Sequence, residues 1–397
     1  VLAYSGAGAA QRSTAAVIGI TGSSLGLLAT LALPFVSFRP NRIVDGTAAT
    51  AIEAFGPWGW ILTIGWLALG ALTLMPLGRF GGLTRGVSAS VVLAIGVGAS
   101  GCAAIDYAAT QGSVARTSFS VAFYLSLLGA FLVLYAAAGQ TPYRIGRLVI
   151  WTAPVLLLAT LAASGVLAEL GIVREWAFAK ATFAREFRRH MAYALGATAG
   201  AVALGIPFGI LSARDRRAET IVMGALNLGQ VFPALAFVGL MMPILGALGD
   251  RVALFDAIGI SGIGWAPVFI VLLVYALFPI TRNTLVAIRQ IDPAVLDTAR
   301  GMGMGRWRSL AEVELPLAFP VVLAGIRIAL VQSTAGAIIA AFVGGGGLGT
   351  IMFFGLEQTS MDLVLVGVLP IVALALVFDA GLRAVERMAG GSGEAYA

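Results

Sequence analysis

Ten stretches of roughly 20 apolar residues follow one another along this chain, and no other feature narrows its possible folds as far. They fall at 17–35, 58–77, 86–105, 118–138, 148–167, 191–211, 220–245, 263–281, 318–342 and 363–382. As a helix, each is long enough to cross a hydrocarbon layer of about 30 Å. In lipid every backbone N–H and C=O must be bonded inside the protein, so a chain of this pattern folds as a set of spanning helices. With 59% hydrophobic and 11% charged residues, the predicted class is an all-α polytopic membrane protein of about ten transmembrane helices. The first stretch reads as a span and not as a secretory leader, because its apolar core is too long and no small-residue cleavage site follows. The sequence starts at Val1, which leaves the natural start upstream open.

What is scarce excludes whole classes of chemistry. A single cysteine, Cys102, rules out an internal disulfide, and a single histidine, His190, rules out a histidine-rich metal or catalytic cluster. Both read as packing or interface residues. The net charge of +6 would suggest nucleic acid in a soluble protein, but here the arginines sit in short loops between apolar blocks. Topology and anionic lipid headgroups account for them there, so membrane lipid is an expected partner and nucleic acid is not.

Cytoplasmic loops retain arginine and lysine. Placing the loop at 292–316 in the cytoplasm puts about 15 basic residues inside and about 9 outside, with both termini cytoplasmic. Five of the outside residues lie in "REWAFAKATFAREFRRH", whose Trp176, Phe178, Phe183 and Phe187 suggest an amphipathic helix in the membrane interface. That segment divides the chain. The predicted organisation is an N-terminal block of about five helices at 1–170, the interfacial segment at 171–190, a five-helix block at 191–388 and a frayed tail at 389–397.

One loop stands apart. "DTARGMGMGRWRSLAEVELP", at 297–316, carries six charged residues between two strongly apolar stretches. Asp292 can cap a helix with Pro293 in its first turn, and the helical spacing runs on until Gly303 and Gly305 break it. A second short helix is predicted at 306–313, stopped by Leu315 and Pro316. The result is a compact surface knob with a glycine hinge. On charge alone it reads as an ordinary solvated loop.

The spacing says more. Asp297-Thr298-Ala299, three residues, Gly303, nine residues, Val313, one residue, Leu315-Pro316 resembles the EAA loop of ABC importer permeases, Glu-Ala-Ala-x3-Gly-x9-Ile-x-Leu-Pro. The gaps match without insertion, and Asp297, Thr298 and Val313 are conservative departures. The resemblance covers roughly 183–387. "GQVFPALAFVGLMMPILG", "YALFPITRNTLVAIRQIDPA" and "LAGIRIALVQSTAGAIIAAFVGGGGLG" are similar to the glycine betaine, choline and carnitine branch of that family.

The resemblance implies a type I importer core in the bacterial inner membrane, its loop inserted into a cleft of a cytoplasmic ABC ATPase. It further implies a second permease copy or a related permease chain, and a periplasmic or lipid-anchored substrate-binding protein. The chain would hold no cofactor of its own, with ATP bound by the partner subunit. The alternatives are a permease for another small solute, such as methionine, taurine or nitrate, or an ion-coupled secondary transporter. The N-terminal block is not part of the common permease core.

The remaining residues agree with a transport subunit that does no chemistry. The only lysine, Lys180, has no glycine loop beside it, and "GGGGLG" lacks the lysine that a phosphate-binding loop needs. No Gly-x-Ser-x-Gly elbow is present. Carboxylates sit in loops or near helix ends, Asp106 and Asp379 being the deepest, which disfavours proton- or sodium-driven carriage. Arg327 alone lies well inside a span, as a pore residue, a helix contact or a structural ion pair. Pro233, Phe232 and Tyr275 are candidates for the translocation path, and Gly344, Gly345, Gly346 and Gly347 for an external gate or a plain turn. Phe232, Phe237, Trp265 and Tyr275 could offer aromatic faces to a quaternary ammonium, or simply pack. Gly196, Gly200, Gly205 and Gly209 have the spacing of close helix packing.

Overall fold

The computed structural model describes residues 2–390, apart from Ile43 and Ser113, so most of the tail predicted at 389–397 lies outside the described residues. Sixteen labelled helices follow in chain order: α1 (Leu2–Ala32), α2 (Ala51–Phe55), α3 (Pro57–Leu74), α4 (Gly81–Gln111), α5 (Val121–Gln140) and α6 (Arg144–Ala163) come first. Then come α7 (Gly171–Arg214), α8 (Arg216–Val231), α9 (Ala234–Arg251), α10 (Ala253–Ala257) and α11 (Trp265–Arg289). The last are α12 (Pro293–Gly301), α13 (Arg306–Ser309), α14 (Leu315–Gly336), α15 (Leu348–Glu357) and α16 (Met361–Gly390). Among the described residues, 10 helical segments are long and apolar enough to cross a membrane. The chain forms two compact units, Val1–Phe178 with Glu357–Asp362, and Ala179–Leu356 with Leu363–Ala397.

In the first unit α1 packs on α3 and α5, and α4 packs on α5 and α6. Phe35, Leu62, Trp66 and Ile150 are buried where these helices meet, with Phe35 edge-on to Phe55 at 5.4 Å. Lipid is as apolar as these side chains, so close packing, and not expulsion from water, holds them. The sequence reading missed a small sheet here. Strand β1 (Val36–Arg39) lies between β2 (Thr47–Ala49) and β3 (Arg116–Phe119), antiparallel to both, with Ser37 opposite Ala48 and Ser118. Strands this short carry no usable alternation, so the segments read as plain loops.

The residues that join α15 to α16 fold with this first unit. Arg39 donates to the Thr359 carbonyl at 2.9 Å, and Ser118 donates to the buried Asp362 carboxylate. Thr359 is the one non-glycine residue with positive φ (51°) among the described residues. Beneath them, Arg42 and Arg116 share the buried Glu175.

In the second unit α11 packs against α8, α9 and α14. The predicted glycine stripe of α7 lies along α11, where a Cβ at Gly209 would fall 2.5 Å from Thr284 and one at Gly205 3.1 Å from Ile280. Its role is close helix approach. Three expectations change from α7 onward. The segment at 171–190 is helical but not separate: α7 runs 44 residues without a break, because no glycine or proline interrupts 172–195 and Ala179, Glu186 and His190 continue one buried face into the span.

The stretch 220–245 is not one helix. It breaks at Phe232 and Pro233 into α8 and α9, because the proline disfavours helical backbone at the residue before it. The third change is that Leu315 and Pro316 do not stop the helix begun at Arg306. Residues Leu310–Glu314 widen into a π turn, with the Leu315 N–H bonded to the Leu310 carbonyl, and the ladder runs on into α14. The wide turn accommodates the N–H that Pro316 lacks.

Of the readings left open for Arg327, the ion pair is the one observed. Its guanidinium reaches Asp379 at 2.9 Å and Glu386 at 2.8 Å, joining α14 to α16. A charge at that depth is tolerated because it is paired.

Candidate functional site

The knob at 292–316 is built from its caps outward. Asp292 accepts from the Ala294 N–H at 2.8 Å, and Pro293 occupies the first turn of α12. At the other end the Gly303 N–H bonds the Arg300 carbonyl (2.9 Å) and the Met304 N–H bonds the Ala299 carbonyl (3.1 Å). This paired pattern closes a helix only if the residue at Gly303 takes a left-handed conformation, and its φ is +82°. Ala299 is buried under the turn, while Asp297 and Thr298 are exposed and Asp297 pairs with Arg300.

Val313 and Leu315 fall in and just after the π turn, with Pro316 in the first turn of α14. Glu314, between them, is buried and holds Arg214 at 3.0 Å, which ties the root of the knob to the end of α7. The sequence reading overlooked two residues. Met302 is 66% exposed and Trp307 is 84% exposed, so two large apolar side chains stand out from a charged loop. Only their exposure reveals them, since neither falls on a matched motif position.

The broken helix gathers four of the residues singled out in the sequence, Phe232, Pro233, Phe237 and Tyr275. Pro279 cannot donate to the Tyr275 carbonyl one turn back in α11, and the Gln230 side chain supplies that bond instead at 3.1 Å. The Tyr275 hydroxyl in turn donates to the Phe232 carbonyl at the break before Pro233. The rings follow the backbone: Phe232 and Phe237 lie 5.7 Å apart, and Phe237 meets Tyr275 edge-on at 6.4 Å. Phe232 stays 40% exposed. Trp265 does not join them; it packs edge-on to Phe269 at 5.9 Å.

The four glycines at 344–347 make a walled corner. Gly344, Gly346 and Gly347 all have positive φ. Tyr193 donates to the Gly345 carbonyl at 2.7 Å, and the buried Glu186 accepts the Gly347 N–H at 2.8 Å. His190 bonds the Thr334 carbonyl at 2.9 Å on the same face of α7. A Cβ at Gly346 would lie 2.6 Å from the Arg189 guanidinium. Sequence reasoning did not single out Glu186, because a carboxylate in a basic run looks solvated until its fold partner is known.

Residues 205–389 match the family described as binding-protein-dependent transport system inner membrane component. Residues 16–173 match the N-terminal domain of the ABC transporter permease YehY. The carnitine transport permease protein OpuCB of Listeria monocytogenes is 35% identical over 198 residues, which cover 50% of this chain and 84% of that one. The chain belongs to the binding-protein-dependent ABC permease family. The osmoprotectant import permease protein OsmW of Salmonella typhimurium is 36% identical to this permease over 179 residues, 45% of this chain and 78% of that one. A solved structure of the MetNI methionine ABC transporter in inward-facing conformations is 20% identical, covers 52% of the permease and 95% of its own chain, and superposes at a TM-score of 0.46. Membership sets aside the secondary-transporter alternative, and family permeases do not themselves catalyse a reaction.

Proposed function

We propose that this permease forms half of the membrane path of an ATP-driven importer for small quaternary-ammonium osmolytes. The observation that carries this is the set of rings at the broken helix: Phe232, Phe237 and Tyr275 converge where α8 gives way to α9, with Phe232 partly exposed. Aromatic faces attract a quaternary ammonium, by about 0.5–1 kcal/mol each at exposed sites and about 2 kcal/mol when desolvated. Irregular backbone at mid-membrane depth is tolerated where it lines a cavity, so the break at Pro233 favours a path over lipid. A second permease copy, or a related chain, would close the path over the exposed ring. The names of relatives agree in chemistry, from carnitine to glycine betaine and choline.

In this reading the core is of the type I importer kind, set in the bacterial inner membrane with both termini cytoplasmic. The knob then faces the cytoplasm, where Met302 and Trp307 dock into a separate ABC ATPase and Gly303 shapes the contact. Asp297, Thr298, Ala299, Val313, Leu315 and Pro316 form its frame. ATP is bound and hydrolysed on that partner, and a substrate-binding protein delivers solute on the opposite side. Gly344, Gly345, Gly346 and Gly347 act as an outer gate element braced by α7, and Arg327 serves as a helix clamp.

The test is uptake in proteoliposomes holding permease, ATPase and binding protein. Betaine, carnitine or choline should enter with ATP and continue to enter when proton and sodium gradients are collapsed. ATP-driven uptake of methionine or taurine with quaternary ammoniums excluded would keep the class and overturn the substrate.

A further inference from the structure

The first half of α7 has a charge pattern that spanning does not explain. A 44-residue helix is about 66 Å long, roughly twice the hydrocarbon thickness, so the residues before the span at 191 stand beyond the apolar layer. On the side opposite the knob, basic residues work against the topological rule and call for another role. They are also sorted by face. Ala179, Glu186, His190 and Tyr193 are buried on one side of α7, while Lys180, Arg185 and Arg188 are exposed around the rest of the helix and the exposed Arg189 flanks the buried face beside Gly346.

Glu186 pairs with Arg185 at 2.8 Å and approaches Arg189 at 3.8 Å. Lys180 and Arg188 have no carboxylate within salt-bridge distance among the described residues. The ridge thus presents four cations against one buried carboxylate. That carboxylate is also the acceptor of the Gly347 N–H, and Arg189 lies over Gly346. A negatively charged group that drew Arg185 and Arg189 outward would loosen the bracing of the glycine corner.

We infer that the exposed ridge of Lys180, Arg185, Arg188 and Arg189 is a docking surface for an acidic face of the substrate-binding protein, read out at the glycine corner through Glu186. This rests on the importer reading above, and the family description itself names a binding protein as the required partner. Charge complementarity selects the acidic face. Rim charges of this kind act through the association rate, so their removal lowers affinity most at low salt and weakens its salt dependence.

The experiment uses the assembled permease–ATPase complex in nanodiscs, and the binding protein that stimulates its ATP hydrolysis, titrated at several ionic strengths. In a Lys180→Gln, Arg185→Gln, Arg188→Gln variant, affinity for the binding protein should fall about tenfold at low salt, and the salt dependence should flatten. Co-purification of the ATPase reports that the variant is folded. Glu186→Gln should bind the protein as before but lose stimulation of hydrolysis.

Unchanged affinity and unchanged salt dependence in the triple variant would overturn the proposal. So would unchanged affinity accompanied by lost retention on phosphatidylglycerol vesicles, which would make the ridge a lipid contact. A wild-type complex that no binding protein stimulates would instead remove the importer reading on which the proposal stands.

Discussion

Two glycine turns in this permease do opposite work. At Gly303 the chain reverses in open space, with nothing within 4 Å of where a side chain would begin. At Gly344–Gly347 it reverses against Tyr193, which crowds a Cβ at Gly345, and against Arg189 and Glu186, which crowd one at Gly346. Both need left-handed backbone, and both were visible as glycines in the sequence. The surroundings differ: the knob is held from below by Ala299 and the Arg214–Glu314 pair and offers its outer face, whereas Gly345, Gly346 and Gly347 are buried and bonded by Tyr193 and Glu186. On the proposed function the first is the surface a partner reads, and the second is a braced turn. Mutations in the knob should therefore damage coupling without damaging the fold, and mutations in the corner should cost stability.

The largest effect is expected at the knob. Trp307→Ala removes an 84% exposed side chain with little to lose inside the permease, yet a buried aromatic anchor at an interface is commonly worth about 2 kcal/mol or more. ATPase affinity should fall roughly thirtyfold, measured by titration in nanodiscs, with the permease melting temperature unchanged. Gly303→Val should uncouple substrate-stimulated hydrolysis, since left-handed backbone costs a non-glycine residue about 1–2 kcal/mol and the turn would re-form elsewhere. A large loss of thermal stability in either variant would break the contrast.

The corner should respond in the other currency. Glu186→Leu leaves the Gly347 N–H without its acceptor and two arginines without their carboxylate, at a cost of about 2–3 kcal/mol in unfolding. Tyr193→Phe removes one bond to the Gly345 carbonyl and should cost about 1 kcal/mol, seen as a modest drop in melting temperature. The smallest change belongs to the knob again. Glu312→Gln breaks a solvent-exposed pair with Arg308 and should shift stability by less than about 0.5 kcal/mol.

The spans were legible because lipid imposes one simple rule on sequence, and the knob was legible because its glycine and caps are local devices. Residues that depend on a distant partner were not. Gln230 repairs the bond that Pro279 denies to Tyr275, and nothing near position 230 signals it. Glu186 sits in a basic run that looks solvated, and its burial is set by Gly347, far along the chain. The break at Phe232 was marked by Pro233, but a proline is tolerated inside a buried span and so did not by itself divide the stretch; the π turn was masked by a proline that usually ends helices. Strands β1 and β3 are four residues each, too short to show a period. Arg327 was visible as a cation inside a span, but its partners Asp379 and Glu386 lie on another helix.

Site-directed cross-linking tests the central claim most directly, namely that the knob is where ATP hydrolysis on a partner subunit reaches this chain. The single native cysteine makes it clean: in a Cys102→Ala background, cysteines are placed one at a time at Met302, Trp307, Arg79 and Arg144, and the complex with its ATPase is treated with a short bifunctional thiol reagent. The account predicts ATPase adducts from Met302→Cys and Trp307→Cys, lost when Gly303 is also changed to Val, and none from Arg79→Cys or Arg144→Cys. Adducts from the Arg79 or Arg144 loops, with none from the knob, would contradict it.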